Sequence, residues 1–101
     1  MKVISSGRQT GKTTELVRMA AERGGYIVCH SQRECQRVFR WAIDYGIQIR
    51  MPITYDEFLN GRFFGPGCKE FYVDNVDMLL RRLARGVPVV ACAISNGERE
   101  E

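Results

Sequence analysis

The sequence predicts one α/β domain of three layers, a mostly parallel sheet of about five strands between helices. Short β-prone runs alternate with segments whose apolar residues recur at helical spacing, and a helix between strands is the crossover that parallel pairing requires. Two of the strand runs, Tyr26 to His30 and Val87 to Ser95, are apolar with little alternation, as expected of strands covered on both faces. The chain has 101 residues, 45% hydrophobic and 27% charged, which is enough for one modest core and is not the composition of a disordered chain.

The elements follow in order. Lys2-Val3-Ile4-Ser5 is a short strand ending in small residues. Lys12 to Arg23 reads as a helix because Leu16, Val17, Ala20 and Ala21 share a face, and Gly24-Gly25 stops it. Tyr26 to His30 is the next strand. Ser31 then stands as an N-cap with Glu34 placed to complete a capping box, and Cys35, Val38, Phe39, Ala42 and Ile43 form the apolar face of a helix that Gly46 ends. Ile47 to Ile53 is a weaker strand interrupted by Pro52. Thr54 and Glu57 make a second capping box before a short helix, Tyr55 to Leu59. Asn60 to Lys69 carries Gly61, Gly65, Pro66 and Gly67 and reads as a surface loop; its Phe63-Phe64 pair is either an exposed partner site or folded back on the sheet. Phe71-Tyr72-Val73-Asp74 is a strand ending in a carboxylate. Val76, Leu79, Leu80 and Leu83 mark the face of a last helix closed by Gly86, and Val87 to Ser95 is the strongest buried-strand run. Residues 96–101 form a frayed polar tail to this single domain.

Several function classes are disfavoured at once. Fifteen basic against twelve acidic residues give a net charge of +3, which permits nucleic-acid contact without requiring it. The longest apolar run, Val87 to Ile94, is far short of the roughly 20 residues that cross a bilayer, and Lys2 followed at once by a strand run is no secretory leader. The four cysteines, Cys29, Cys35, Cys68 and Cys92, show no Cys-x-x-Cys spacing, and His30 is the lone histidine, which argues against a zinc site. Cys29, Cys35 and Cys92 fall in apolar segments as small core residues, the pattern of a reduced, cytoplasmic protein.

The strongest chemical signal is Ser6-Gly7-Arg8-Gln9-Thr10-Gly11-Lys12-Thr13, followed by Thr14. It follows the phosphate-loop pattern G-x-x-x-x-G-K-[ST], with Ser6 in place of the first glycine, and it lies between a strand and a helix as that pattern requires. Gly11 lets the backbone approach a phosphate, and successive amides at a helix N-terminus make an anion-binding nest. The Lys12 ammonium can reach the β- and γ-phosphates of ATP, and the Thr13 hydroxyl can hold Mg²⁺. Arg8 lies close to the same phosphates. The second signal is Asp74 at a strand end, where a carboxylate can hold Mg²⁺ through water; an N-cap role for Asp74 is equally natural.

These segments resemble a known group. Gly7 to Thr14 looks like the variant phosphate loop of phage terminase large subunits, and Asp74-Asn75-Val76-Asp77 resembles the acidic box of superfamily-two helicases. Val89 to Ala93 followed by Ser95-Asn96-Gly97 takes the place of that group's coupling motif. Thr54 to Leu59 resembles the segment that precedes the acidic box. The resemblance implies a phosphate-loop NTPase fold in which the last strand inserts between the loop strand and the Asp74 strand. It also implies binding of ATP with Mg²⁺ and weak or partner-dependent ATPase activity in a phage protein working in the host cytoplasm. This group places a glutamate after the magnesium aspartate, whereas here Asn75 stands there; an amide can hold a water but cannot take its proton. Asp77 is the nearby carboxylate that could substitute. A second lobe, a nuclease domain and a C-terminal arginine finger are not expected within these residues.

Other readings stay open. Arg33, Arg37, Arg40 and Trp41 recur at helical spacing, as a weak DNA surface with one stacking aromatic or as a solvated helix face. Arg81, Arg82 and Arg85 are arginine-finger candidates for a homo-oligomer or charges that complement a helix C-terminus. The alternatives to a motor-lobe relative are a slow oligomeric ATPase on DNA, an interaction module with a vestigial nucleotide site that binds another phage protein, and a small nucleotide kinase. The lack of a lid segment argues against the kinase.

Overall fold

The computed structural model describes residues 9–61 and 70–93, with the backbone alone for residues 9–12. The described elements are α1 (Gln9–Arg23), β1 (Tyr26–Cys29), α2 (Gln32–Asp44), β2 (Ile53–Thr54), α3 (Tyr55–Asn60), β3 (Phe71–Val73) and α4 (Val76–Leu83). The strands form a parallel sheet in the order β2-β1-β3, with Val28 opposite Ile53 on one side and Val73 on the other.

Alternation along β1 sorts the helices into layers. Ile27 and Cys29 face one way and pack, with Tyr72, against Val17 and Ala20 of α1 and Cys35, Val38 and Ala42 of α2. Val28 faces the other way and packs with Ile53, Tyr55 of α3 and Leu79 of α4. The α/β class and the three layers therefore stand as the periodicity implies.

The turn Gly24-Gly25 joins α1 to β1. Gly24 has φ +85° and donates its N–H to Ala20 O at 2.8 Å, closing the helix. Gly25 is required for another reason: a Cβ there would collide with the Glu70 carbonyl oxygen and lie 2.8 Å from the Tyr72 ring. That close approach lets β1 and β3 start side by side. Ser31 caps α2 by accepting from Glu34 N at 3.2 Å, while the Glu34 carboxylate turns to Arg37; Thr54 and Glu57 form both halves of the capping box of α3.

Five expectations are corrected. The described residues hold three strands, not five; Lys2 to Ser5 lies outside them. Val87 to Ala93, the described part of the last expected strand, is irregular and exposed, Val90 at 91%. A β-prone run becomes a strand only where it pairs with a neighbour; β1 is already paired on both sides, the run joins neither outer edge of the described sheet, at β2 or β3, and Pro88 gives a ladder no N–H. Cys92, in the same stretch, is exposed rather than buried. Ile47 to Ile53 shrinks to Ile53–Thr54, because pairing starts only past Pro52, which lacks a donor. Finally, α1 begins at Gln9 rather than Lys12, since Gln9 and Thr10 carry nothing that breaks a helix.

Candidate functional site

The topology brings several chain features to one edge of the sheet. α2, α3 and α4 each start where a parallel strand ends, and α1 runs back into β1 through the Gly24-Gly25 turn, so its first turn also lies at the edge where β1 finishes. Helix N-termini carry partial positive charge and amides without intrahelical partners, so this edge is suited to an anion. The helices that follow the adjacent strands β1 and β3 pack on opposite faces, α2 on one and α4 on the other. Open parallel sheets bind ligands at such a point, beyond the carboxyl ends of the strands.

Asp74 lies at this edge, directly after β3. It is 7% exposed, the one buried charged residue among those described. Its N–H donates to Val28 O at 2.9 Å, and its carbonyl accepts the Tyr55 hydroxyl at 2.7 Å. Asn75, not Asp74, is the N-cap of α4; it has φ 61° and ψ 63° and makes no side-chain bond to the helix. Its carbonyl accepts from Met78 N at 2.8 Å and from the Tyr55 hydroxyl at 2.9 Å. Asp77 is exposed in the first turn of α4.

The glycine-lysine-threonine run is placed as follows. Gln9, Thr10, Gly11 and Lys12 form the beginning of α1, Thr13 is half-buried and Thr14 is exposed in the following turn. The early start of α1 shifts its first-turn amides from Lys12 to Thr14 back to Gln9 to Gly11. Ser6, Gly7 and Arg8 lie outside the described residues, as do Phe63, Phe64 and Cys68.

Electrostatics around Asp74 follow from burial. Burial, then the Asp74 charge, pushes the Tyr55 phenol well above its usual value, so it stays a donor. Cys29 and Cys35 are fully buried free thiols; the hydrogen bond with Cys35, to which the Cys29 thiol donates, and then burial push the Cys29 thiol up. The Arg37 hydrogen bond holds the Glu34 carboxyl below its usual range. On α2, Arg33, Arg37 and Arg40 are exposed, and Trp41 leans on the core with Tyr45 against it at 4.7 Å between ring centroids. Arg82 is bound to Asp56 of α3 at 2.7 Å.

No family model, curated protein or solved structure matches this chain. No helix of the described residues is long and apolar enough to cross a membrane. The residue that sequence reasoning missed is Tyr55. Nothing in its neighbourhood signals a partner 19 residues away, and only the fold brings it to Asp74.

Proposed function

We propose that this chain is a small phosphate-loop domain that binds ATP with Mg²⁺, a relative of the terminase and helicase motor lobe with weak or partner-dependent hydrolysis. The observation that carries the reading is buried Asp74 at a strand end, supported by a connection that carries the first turn of the helix bearing Gly11-Lys12-Thr13-Thr14 toward the same sheet edge. A carboxylate and a threonine hydroxyl are the oxygen donors that Mg²⁺ takes, alongside phosphate oxygens and water. In this reading Asp74 and Thr13 hold the metal, Lys12 and Arg8 meet the phosphates, and the amides from Ser6 to Gly11, with Thr14 beside them, line the anion site. Mg²⁺ would supply charge neutralisation of the phosphates. Asn75 would hold the attacking water without taking its proton, which is why hydrolysis is weak in this reading; Asp77 is the nearby carboxylate that could substitute. Arg33, Arg37, Arg40 and Trp41 would give a weak DNA contact, with Arg37 already engaged by Glu34.

A second reading, an interaction module with a vestigial site, is favoured by one observation. Asn75 sits in the left-handed region, which asparagine tolerates better than glutamate, so its presence has a backbone reason independent of catalysis. Calorimetric titration with ATP, with and without Mg²⁺, separates the two. The proposal expects wild type to bind and Lys12→Ala to lose binding with circular dichroism unchanged. Equal affinity in a folded Lys12→Ala variant overturns it, and no binding by wild type favours the vestigial module.

A further inference from the structure

The geometry points to Tyr55 as a positioning residue that holds the Asp74–Asn75 corner in place, an inference that rests on the phosphate-loop reading. The corner is a tight one. β3 ends at Val73, and α4 begins at Val76 after Asn75 has passed through φ 61° and ψ 63°. A non-glycine residue in that region persists where its surroundings hold it.

Tyr55 supplies the hold. Its one hydroxyl proton is shared between two backbone acceptors, Asp74 O at 2.7 Å and Asn75 O at 2.9 Å. Asp74 is thus gripped on both sides, its amide by Val28 O of β1 and its carbonyl by Tyr55. With both peptide groups fixed, the Cα–Cβ direction of Asp74 is fixed, and so is the region its carboxylate can reach.

The arm that delivers the hydroxyl is itself braced. Tyr55 is the first residue of α3 and 1% exposed, with its ring in the cluster of Val28, Ile53 and Leu79. Thr54 N donates to Glu57 Oε1 at 2.9 Å and Glu57 N to Thr54 Oγ1 at 3.1 Å, which locks the start of α3. Phenylalanine would fill the same apolar space; the hydroxyl adds the hydrogen bonds from the start of α3 to the Asp74 and Asn75 carbonyls. Groups that orient a metal ligand from behind it commonly change metal affinity when removed.

The test uses the full chain and calorimetric titration with ATP, with and without Mg²⁺, beside backbone amide hydrogen exchange of the ligand-free protein. Tyr55→Phe should weaken ATP binding in Mg²⁺ about tenfold while leaving metal-free ATP binding within about twofold of wild type. Exchange at Met78 and Leu79, whose amides bond Asn75 O, should quicken in the same variant. Phe58→Ala is the packing control, since Phe58 packs against the same cluster and meets Phe71 edge to face with ring centroids 5.0 Å apart; it should lower stability and leave the Mg²⁺-dependent gain intact. Thr54→Ala, which loosens the brace, should reduce that gain by less than Tyr55→Phe. Tyr55→Phe with the full Mg²⁺-dependent gain overturns the inference, and so does an equal loss in Phe58→Ala. If Tyr55→Phe fails to fold, an unchanged gain in Thr54→Ala overturns it. Wild type that binds no ATP under either condition overturns the phosphate-loop reading itself, and the role of Tyr55 with it.

Discussion

Gly25→Ala tests the contact that sets β1 beside β3 and so brings Asp74 to its edge. The added Cβ would meet the Glu70 carbonyl oxygen, with the Tyr72 ring at 2.8 Å and the Glu70 carbonyl carbon at 3.0 Å. The obstacle is largely backbone, so no flexible side chain can swing away. Overpacking of this kind costs about 1–3 kcal/mol. The Tyr26 N–H to Glu70 O bond, 3.3 Å long, would be lost as the strands part, adding about 1 kcal/mol. Against this, alanine lowers the entropy of the unfolded chain, worth about 0.4–1 kcal/mol in its favour. The net loss is about 2 kcal/mol, a large part of the roughly 5–15 kcal/mol by which a small domain is stable. At roughly 4–8 °C per kcal/mol for this size, the melting temperature should fall by about 8–16 °C. Gly24→Ala is the matched control: it meets nothing within 4 Å and suffers only the cost of φ +85°, about 1–2 kcal/mol for a left-handed alanine, less the same entropy gain of about 0.4–1 kcal/mol, so about 1 kcal/mol net. Urea and thermal unfolding followed by circular dichroism measure both. A Gly25→Ala variant as stable as Gly24→Ala would refute the close-approach argument.

Three further outcomes are expected. Asn75→Glu should cost about 1–2 kcal/mol of stability from the left-handed backbone at φ 61°, and should raise phosphate release from ATP, since general-base help is worth roughly 10²–10⁴ in rate; Asp77→Ala abolishing a robust wild-type activity, with Asn75→Glu unchanged, would place the base at Asp77 instead. The depressed Glu34 carboxyl contributes stability that is present above its ordinary value near 4.5 and is lost as pH falls through its lower folded value; acid unfolding curves of wild type and Glu34→Gln should therefore converge below that range, with a difference of at most about 1 kcal/mol above it for so exposed a pair. Among the described cysteines, Cys92 should be alkylated in the native protein at neutral pH while Cys29 and Cys35 resist until urea is added, as peptide mapping by mass spectrometry would show.

Much of this molecule was legible from local rules. The Ser31 cap and the Thr54–Glu57 capping box, and the glycines 24, 46 and 61, delimit helices by chemistry acting over three or four residues, so they read directly from the sequence, although the Glu34 half of the first expected box goes to Arg37 instead. The apolar run Tyr26 to Cys29 with its flanking helical faces likewise determined the α/β class and the covered sheet. Asp74 at a strand end was legible for the same reason. Strand number was not: β-propensity in Val87 to Ala93 cannot supply a neighbouring edge, and Pro52 and Pro88 each remove a donor that only the ladder makes important. Nor could local rules show that Asn75 passes through the left-handed region, or that Tyr55 reaches across 19 residues to the Asp74 carbonyl. The sequence by itself determined which residue types are present and the local elements they form. The tertiary structure alone decided which of them share one sheet edge, because that depends on the order β2-β1-β3 and on crossovers that join residues far apart in the chain.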